Sequence, residues 1–151
     1  MAFAKLDKLI NKFDFKITDI LYQVFQQQEI KDIIINLNHS QLRQGQDNEG
    51  KKLKTYAATG SDVYSRTTIV QKQLSGQPSN IVTLFDTGEF YETFDIIVSQ
   101  AQAQIVANFN KGTENISDNL DTSNVLGLDE TRKQILLEAI MPRMIQIIKI
   151  R

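Results

Sequence analysis

The sequence predicts an α+β fold, with helices at the N-terminal and C-terminal ends packed on a small, mainly antiparallel sheet. Near both ends of the chain, apolar residues recur at intervals of three and four, which is the period of an amphipathic helix. Between residues 96 and 109, apolar and polar residues alternate, which is the period of a half-buried strand. A chain of 151 residues can bury one core, so we expect a single structural domain spanning residues 1–151.

The composition limits the chemistry that the protein can perform. There is no cysteine, which excludes disulfide bonds, thiol chemistry and thiolate-ligated zinc, and agrees with synthesis in a reducing cytoplasm. The net charge is −1, so the chain has no overall basic footprint for nucleic acid. The N-terminus lacks the pattern of a signal peptide, and no apolar run is long enough to cross a bilayer. We therefore expect an intracellular protein without a membrane partner, and the motifs indicate no cofactor or metal.

The N-terminal part of the chain is expected to be helical. Apolar residues keep a helical spacing over Phe3–Phe25, with a break predicted near Asp14–Lys16. We expect this apolar face to pack on a sheet; docking on a neighbouring subunit is the alternative. A second helix is predicted over Glu29–Leu42. His39 lies in it without metal-ligand spacing or a nearby nucleophile, so we expect a histidine at the surface or at the helix end.

The middle of the chain combines loops with one weaker helix. Residues 45–60 contain turn residues and charges, which predict an exposed loop or hairpin tip with solvated lysines at 51, 52 and 54. Asp47–Gly50 lacks the spaced oxygen ligands of a calcium loop, so a plain acidic turn is expected. Loose helical periodicity follows over Asp62–Leu74, and Gly76 with Pro78 ends it.

A strand followed by a short helix is predicted next. The strand is the apolar, β-rich run Ile81–Phe85. Asp86 or Thr87 can cap the helix, because a side-chain oxygen accepts from backbone N–H groups that have no intrahelical partner. Gly88 keeps the corner between the two elements free of a Cβ atom.

The short helix has an aromatic face. Phe90 and Phe94 are four residues apart, so both should lie on one side of it. Asp86 also opens an Asp-Thr-Gly tripeptide, which carries the catalytic carboxylate of aspartic proteases. Those enzymes need two such carboxylates sharing a proton and flanked by extended strands, so helix capping is the preferred interpretation here.

A two-stranded hairpin and a long loop follow Phe94. The alternating pattern predicts two strands with a turn near Gln100–Ala103 and one face on the core. The polar segment Lys111–Asn124 is predicted to be a long loop, either mobile or held by a partner.

The last helix should begin after Asp129, which is a good N-cap residue, and should kink or break near Glu138–Pro142 because proline removes a helical hydrogen bond. The end of the chain is unusually apolar. Burial in its own core and contact with a neighbouring subunit are both open for its large apolar residues, which are Met144, Ile147, Ile148 and Ile150.

Three segments of the chain together resemble a known family. They are Gln41-Leu42 with Gly45, Asp47 and Gly50; Val82-Thr83-Leu84-Phe85-Asp86-Thr87-Gly88-Glu89-Phe90-Tyr91-x-Thr93-Phe94; and Leu126-Gly127-Leu128. In these segments the chain resembles small virion-morphogenesis proteins of tailed phages of gut Bacteroidetes, crAss-like phages included. Thr87-Gly88-x-Phe90-x-x-Thr93-Phe94 is also similar, more distantly, to the Thr-Gly-x-Leu-x-x-Ser-Ile region of phage neck and tail-completion proteins. Phe90 and Phe94 stand where that wider family has aliphatic residues.

The resemblance implies a non-enzymatic structural protein that forms a ring, six- or twelve-fold, at the head–tail connector, neck or upper tail. Its partners would be further copies of itself and neighbouring portal, neck or tail proteins, with double-stranded DNA only as passing cargo. The protein would be made in the host bacterial cytoplasm and located in the virion. A small intracellular binding or regulatory module without a virion role remains the main alternative. An Asp86-dependent hydrolase is the third hypothesis.

Overall fold

The computed structural model describes residues 4, 5, 8, 17–58, 60, 62–100 and 102–150. Helices and two short antiparallel hairpins in this part of the chain confirm the α+β class. The elements are α1 (Ile17–Gln26), α2 (Gln28–Arg43), α3 (Arg66–Leu74), α4 (Glu89–Glu92), β1 (Asp95–Val98), β2 (Ala103–Val106), β3 (Asn110–Lys111), β4 (Glu114–Asn115), a 3₁₀ turn (Ile116–Asp118) and α5 (Glu130–Ile150).

The first core cluster lies between helices α1, α2 and α5. Its buried residues are Ile20, Val24, Ile30, Ile34, Ile96, Leu128, Ile140, Met141, Met144 and Ile148. Helix α1 contacts α2, α5 and β1, so the described part of the N-terminal helical segment packs on the hairpin, as expected, and also on the two other helices. A hairpin of two four-residue strands is too small to cover a helix face, and the other helices cover the rest. The predicted break near Asp14–Lys16 lies outside the described residues.

The second core cluster lies under the loops. It contains Leu42, Leu53, Tyr64, Val82, Phe90, Tyr91, Phe94, Leu120 and Val125. Side chains from segments far apart in the sequence therefore meet here, and a backbone bridge between Thr55 and Leu120 fastens two of those segments together. The segment predicted as a long polar loop, Lys111–Asn124, is thus partly structured: it joins β3, holds β4 and the 3₁₀ turn, and buries Leu120.

The hairpin predicted after Phe94 is confirmed. Strands β1 and β2 pair antiparallel, with Ile96 opposite Ile105 and Ile97 opposite Gln104. Ile96 is buried and Ile97 is exposed, as the two-residue period of a strand requires.

The strand predicted over Ile81–Phe85 does not form. Leu84 has a φ of 55°, which is outside the extended range and interrupts a strand. The neighbouring amides bind side chains instead of a ladder: Thr83 N donates to the Tyr64 hydroxyl at 3.2 Å, and Phe85 N donates to Thr83 Oγ1 at 3.3 Å. The segment is still buried at Val82 and Thr83, so its apolar residues serve the core without pairing in a sheet.

The helix bounds agree with the sequence in two cases and differ in two. The predicted helix over Glu29–Leu42 is confirmed as α2, and α5 begins after Asp129, whose Oδ1 accepts from Arg132 N at 2.9 Å. Helix α3 begins four residues later than predicted because Ser65 is its N-cap, accepting from Thr68 N. Helix α5 continues through Pro142, so the predicted break is wrong.

The apolar end of α5 is mostly used within the chain. Met144 is 2% exposed and Ile148 is 1% exposed, so these two residues are packed in the chain's own core and cannot be contacts for a neighbouring subunit in this structure. Ile147 is half-buried against the same core, whereas Ile150 is exposed. Buried residues on both sides of Pro142 hold one face of α5 against α1 and α2, which explains why the helix does not end at the proline.

Candidate functional site

The aromatic turn, defined as residues 86–94, lies in the second of the three segments that carry the family resemblance. Gly88 precedes α4 with a φ of 93°, a conformation that side chains with a Cβ atom rarely adopt. A Cβ atom on Gly88 would also lie 3.4 Å from the Phe85 ring. The positive φ therefore confirms the prediction that glycine is needed at this corner, whereas 3.4 Å is an ordinary packing distance.

The aromatic face of the turn forms, although the helix is shorter than its spacing suggested. Helix α4 ends at Glu92, so Phe94 lies beyond it. The rings of Phe90 and Phe94 are nevertheless both buried, with centroids 5.1 Å apart at an edge-to-face angle of 74°. Such a pair adds about 0.5–1.5 kcal/mol beyond the burial of its area.

Asp86 does not cap the helix. Its carboxylate pairs with the Lys111 ammonium, and this hydrogen bond lowers the pKa of Asp86 below its ordinary value. Gly88 occupies the N-cap position instead, which leaves Asp86 outside the first turn. Thr87 Oγ1 accepts from Glu89 N at a long 3.5 Å, but the N-cap is Gly88 and α4 has no side-chain cap, so neither predicted cap forms.

Tyr91 fastens the aromatic turn to the segment before it and to α2. Its hydroxyl donates to Thr83 O at 2.6 Å, and its ring stacks on His39 with centroids 4.5 Å apart. Burial raises the pKa of Tyr91 strongly, so the phenol stays a neutral donor. The Arg43 guanidinium lies 5.4 Å from the ring centroid on the same helix as His39.

Thr93 links the turn to the chain after β2. Its Oγ1 donates to Phe90 O at 2.7 Å and accepts from Asn108 N at 3.0 Å. The Thr93 hydroxyl therefore binds the carbonyl of a residue in α4 and holds Asn108, which lies just after strand β2.

His39 is not the surface histidine that the sequence predicted. It is half-buried between the rings of Tyr91 and Phe94, and its Nε2 is buried without a hydrogen-bond partner among the described residues. Burial lowers the pKa of His39, and the positive charge of Arg43 lowers it further. At neutral pH the imidazole is thus an uncharged member of the aromatic cluster.

A second arrangement, which we call the polar joint, fixes α2 to the turn before α5. The joint consists of Asn38 and Gln41, both fully buried, and the backbone of residues 125–129. Asn38 donates to Val125 O at 3.2 Å and accepts from Gly127 N at 3.0 Å. Gln41 donates to Gly127 O at 3.0 Å and accepts from Asp129 N at 2.8 Å. Two side chains thereby satisfy four backbone groups, on the buried Val125 and Asp129 and the partly buried Gly127.

Charged and polar side chains extend the joint towards the surface. Arg132 Nη1 donates to Asp129 Oδ2 at 2.6 Å, and Arg132 Nη2 donates to Gln44 Oε1 at 2.8 Å. Asn48 donates to Leu126 O at 3.1 Å. The turn that carries Asn48 is closed by Asp47 Oδ1, which accepts from two backbone N–H groups at 2.9 Å, so the plain acidic turn predicted there is confirmed.

Sequence reasoning connected Gln41 with residues 126–128 only through resemblance, and it missed Asn38. A signal was present, because Ile30, Ile34, Asn38 and Gln41 follow one another at helical spacing. Polar residues that continue an apolar stripe are expected to be buried with partners. The identity of those partners, almost ninety residues away, was not readable from the pattern.

A cleft of about 580 Å³ opens beside the aromatic turn. Two of its charged groups are engaged within the chain: Lys72 Nζ donates to Phe85 O at 3.0 Å and to Gln77 Oε1 at 3.1 Å, and Asp86 is paired with Lys111. The Lys72 ammonium also lies 5.1 Å from the centroid of the Tyr64 ring, and burial lowers the pKa of Lys72. The wall of the cleft thus contains two tyrosines, Tyr56 and Tyr64. It also contains three carboxylates that form no ion pair among the described residues, those of Glu89, Glu114 and Asp118.

The described ranges lack two kinds of feature. They contain no cluster of three or more histidine, aspartate or glutamate side chains placed to hold a metal ion. None of their helices combines the length and apolar character needed to span a membrane.

Comparison with known proteins yields no relative. No protein-family model, no curated protein and no solved structure matches this chain.

Proposed function

We propose that this protein is a non-enzymatic structural component of a tailed-phage virion, which forms a ring at the head–tail connector, neck or upper tail and joins portal and tail around the DNA channel. One observation carries the proposal: the polar side chains of the resemblance segments are used inside the subunit. Gln41 holds the polar joint, and Thr93 ties the aromatic turn to the chain after β2. A rigid building block uses its motif residues in this way.

This internal use argues against an active site in the same segments. An enzyme needs convergent groups that are free to touch a substrate. The Tyr91 hydroxyl donates to Thr83 O, and the carboxylate of Asp86 is paired with Lys111. Asp86 is exposed on the surface. An aspartic-protease mechanism would need a second carboxylate close to it, because the two carboxylates share a proton.

Surface properties are compatible with a ring around DNA. The net charge of −1 would let a channel lining pass DNA without gripping it. Large apolar side chains are exposed at several places, including Val70, Leu74, Ile97 and Ile150, and such residues often mark contacts between subunits.

The cleft beside the aromatic turn favours a second candidate, a small binding or regulatory module without a virion role. Its volume of about 580 Å³ lies within the usual range for small-molecule sites, roughly 300–1,000 Å³. A ligand there would contact Tyr64 and the aliphatic stem of Lys72 and would meet the carboxylates of Glu89, Glu114 and Asp118.

The deciding experiment measures assembly and virion content together. Light scattering and negative-stain images of the purified protein should give closed rings with a central hole, and mass spectrometry of purified virions should detect the chain. A protein that stays monomeric and captures no virion component from infected cells would refute the structural role. A monomer that binds a small ligand in the cleft would favour the module. The hydrolase hypothesis requires an activity that Asp86→Asn abolishes.

A further inference from the structure

The exposed side of α3 carries an apolar stripe. Arg66, Val70 and Leu74 follow one another at intervals of four residues, so they share one face of the helix. Val70 is 53% exposed and Leu74 is 83% exposed. No residue of α3 is buried, and the helix is attached to the second core cluster through the partly buried Ile69. We call these three residues the α3 stripe.

The outer side of the β1–β2 hairpin carries a matching surface. Asp95 and Ile97 alternate with the buried Ile96, so they face away from the core. Ile97 is 56% exposed, and its neighbour across the hairpin is the exposed Gln104. Glu92, directly before the hairpin, is exposed as well. Asp95, Ile97 and Glu92 are called the hairpin face.

The two surfaces are complementary in charge. Throughout the described ranges, no carboxylate lies within 4.0 Å of the Arg66 guanidinium, and no cation lies within that distance of Asp95 or Glu92. Each surface therefore presents an apolar side chain next to a charged one. The charges on the two surfaces have opposite signs, and neither has an ion-pair partner among the described residues.

The spacings of the two surfaces also match. Four residues of an α-helix rise about 6 Å, and two residues of a strand rise about 6.6 Å. If Arg66 lies opposite Asp95, Val70 therefore lies opposite Ile97. Leu74 then extends beyond the end of β1, near the turn of the hairpin.

From this match we propose that copies of the chain associate head to tail, with the α3 stripe of one copy on the hairpin face of the next. The proposal rests on the ring-forming function proposed above and names the interface that builds the ring. The α3 stripe lies over the second core cluster, whereas Ile96, behind the hairpin face, belongs to the first. Two different surfaces on one subunit make a heterologous contact, which can close into a ring.

The test introduces a charge at an exposed apolar residue of each surface. Leu74→Glu and Ile97→Glu should each abolish rings in light scattering and negative-stain images, because either change places a carboxylate in an apolar contact. We expect association to weaken at least about 30-fold, as for a strong interface residue. Ile135→Glu is the matched control, since Ile135 is an exposed apolar residue (48% exposed) on α5, outside both surfaces. It should leave the rings intact.

Mixing the two variants identifies the head-to-tail arrangement. Leu74→Glu keeps an intact hairpin face, and Ile97→Glu keeps an intact α3 stripe, so only one contact can form between them. An equimolar mixture should therefore give dimers of twice the 17.2 kDa chain mass and nothing larger. The charge pair is tested by Arg66→Glu and Asp95→Arg, which should each weaken assembly, and by the double variant, which should restore it.

The outcomes separate this interface from the proposed function. Rings that persist in both Leu74→Glu and Ile97→Glu would overturn the interface and leave the ring function standing. A wild-type chain that remains monomeric at its highest soluble concentration would also overturn the interface, whereas its presence in purified virions would keep the structural role. Circular dichroism of each variant must match the wild type, so that lost assembly is not a loss of folding.

Discussion

Replacement of Gln41 tests the polar joint. In the Gln41→Leu variant, the side chain keeps a similar length but loses both hydrogen bonds, the one to Gly127 O (3.0 Å) and the one from Asp129 N (2.8 Å). Gln41 is 0% exposed, so water cannot replace the lost partner without a rearrangement. An unsatisfied buried backbone group costs about 1–3 kcal/mol. We therefore expect a loss of about 2–5 kcal/mol in the free energy of unfolding.

The assay is urea unfolding at 25 °C, monitored by circular dichroism and analysed by linear extrapolation. In a thermal scan the same loss should lower Tm by roughly 2–4 °C for each kcal/mol. Gln28→Leu is the control, because Gln28 lies on the same helix, is exposed, and donates only to the exposed Asp32. It should change stability by no more than about 0.5 kcal/mol.

A second variant at the same position separates the two hydrogen bonds from packing. In Gln41→Glu, the protonated acid can both donate and accept as glutamine does, whereas the carboxylate cannot donate to Gly127 O. Burial raises the pKa of such a carboxyl group, so the stability of this variant relative to the wild type should be highest below about pH 4.3 and fall as the pH rises. If Gln41→Leu is no less stable than Gln28→Leu, the joint does not stabilise the fold and the reasoning fails.

Two further predictions concern the aromatic turn. Because the pKa of His39 is lowered in the folded chain, the unfolded chain binds more protons near and below pH 6.5, and stability should fall as the pH drops through that value. Urea unfolding at pH 7.5 and 5.5 should show this loss of stability. The His39→Gln variant should show a smaller loss. A pH dependence identical in wild type and His39→Gln would exclude this role. Gly88→Ala should lower the free energy of unfolding by about 1–2 kcal/mol because the φ of residue 88 is 93°. Gly88→Asn should lower it less, since asparagine tolerates positive φ better. Equal losses in the two variants would attribute the cost to contact with Phe85 rather than to the backbone.

Elements held by interactions between residues close in sequence were predicted correctly, and an element that depends on distant residues was not. The prediction was correct for helix α2, the β1–β2 hairpin and the Asp129 cap. Their hydrogen bonds join residues that are close in sequence, and the apolar residues of α2 and of the hairpin recur at regular intervals. The strand predicted at Ile81–Phe85 failed because Leu84 adopts a positive φ and Thr83 binds the distant Tyr64. An apolar, β-rich run indicates burial, and burial can be reached without a sheet.

The sequence by itself determined the α+β class, the helical character of both ends of the described chain and the need for glycine at position 88. These features depend on local periodicity and on backbone conformation, which are properties of neighbouring residues. Only the tertiary structure decided that His39 is half-buried and stacked on Tyr91, that Asn38 and Gln41 hold the backbone before α5, and that Met144 and Ile148 are buried rather than offered to a neighbour. Those outcomes depend on partners tens of residues away, because burial and hydrogen bonding are satisfied by whichever groups the folded chain brings together.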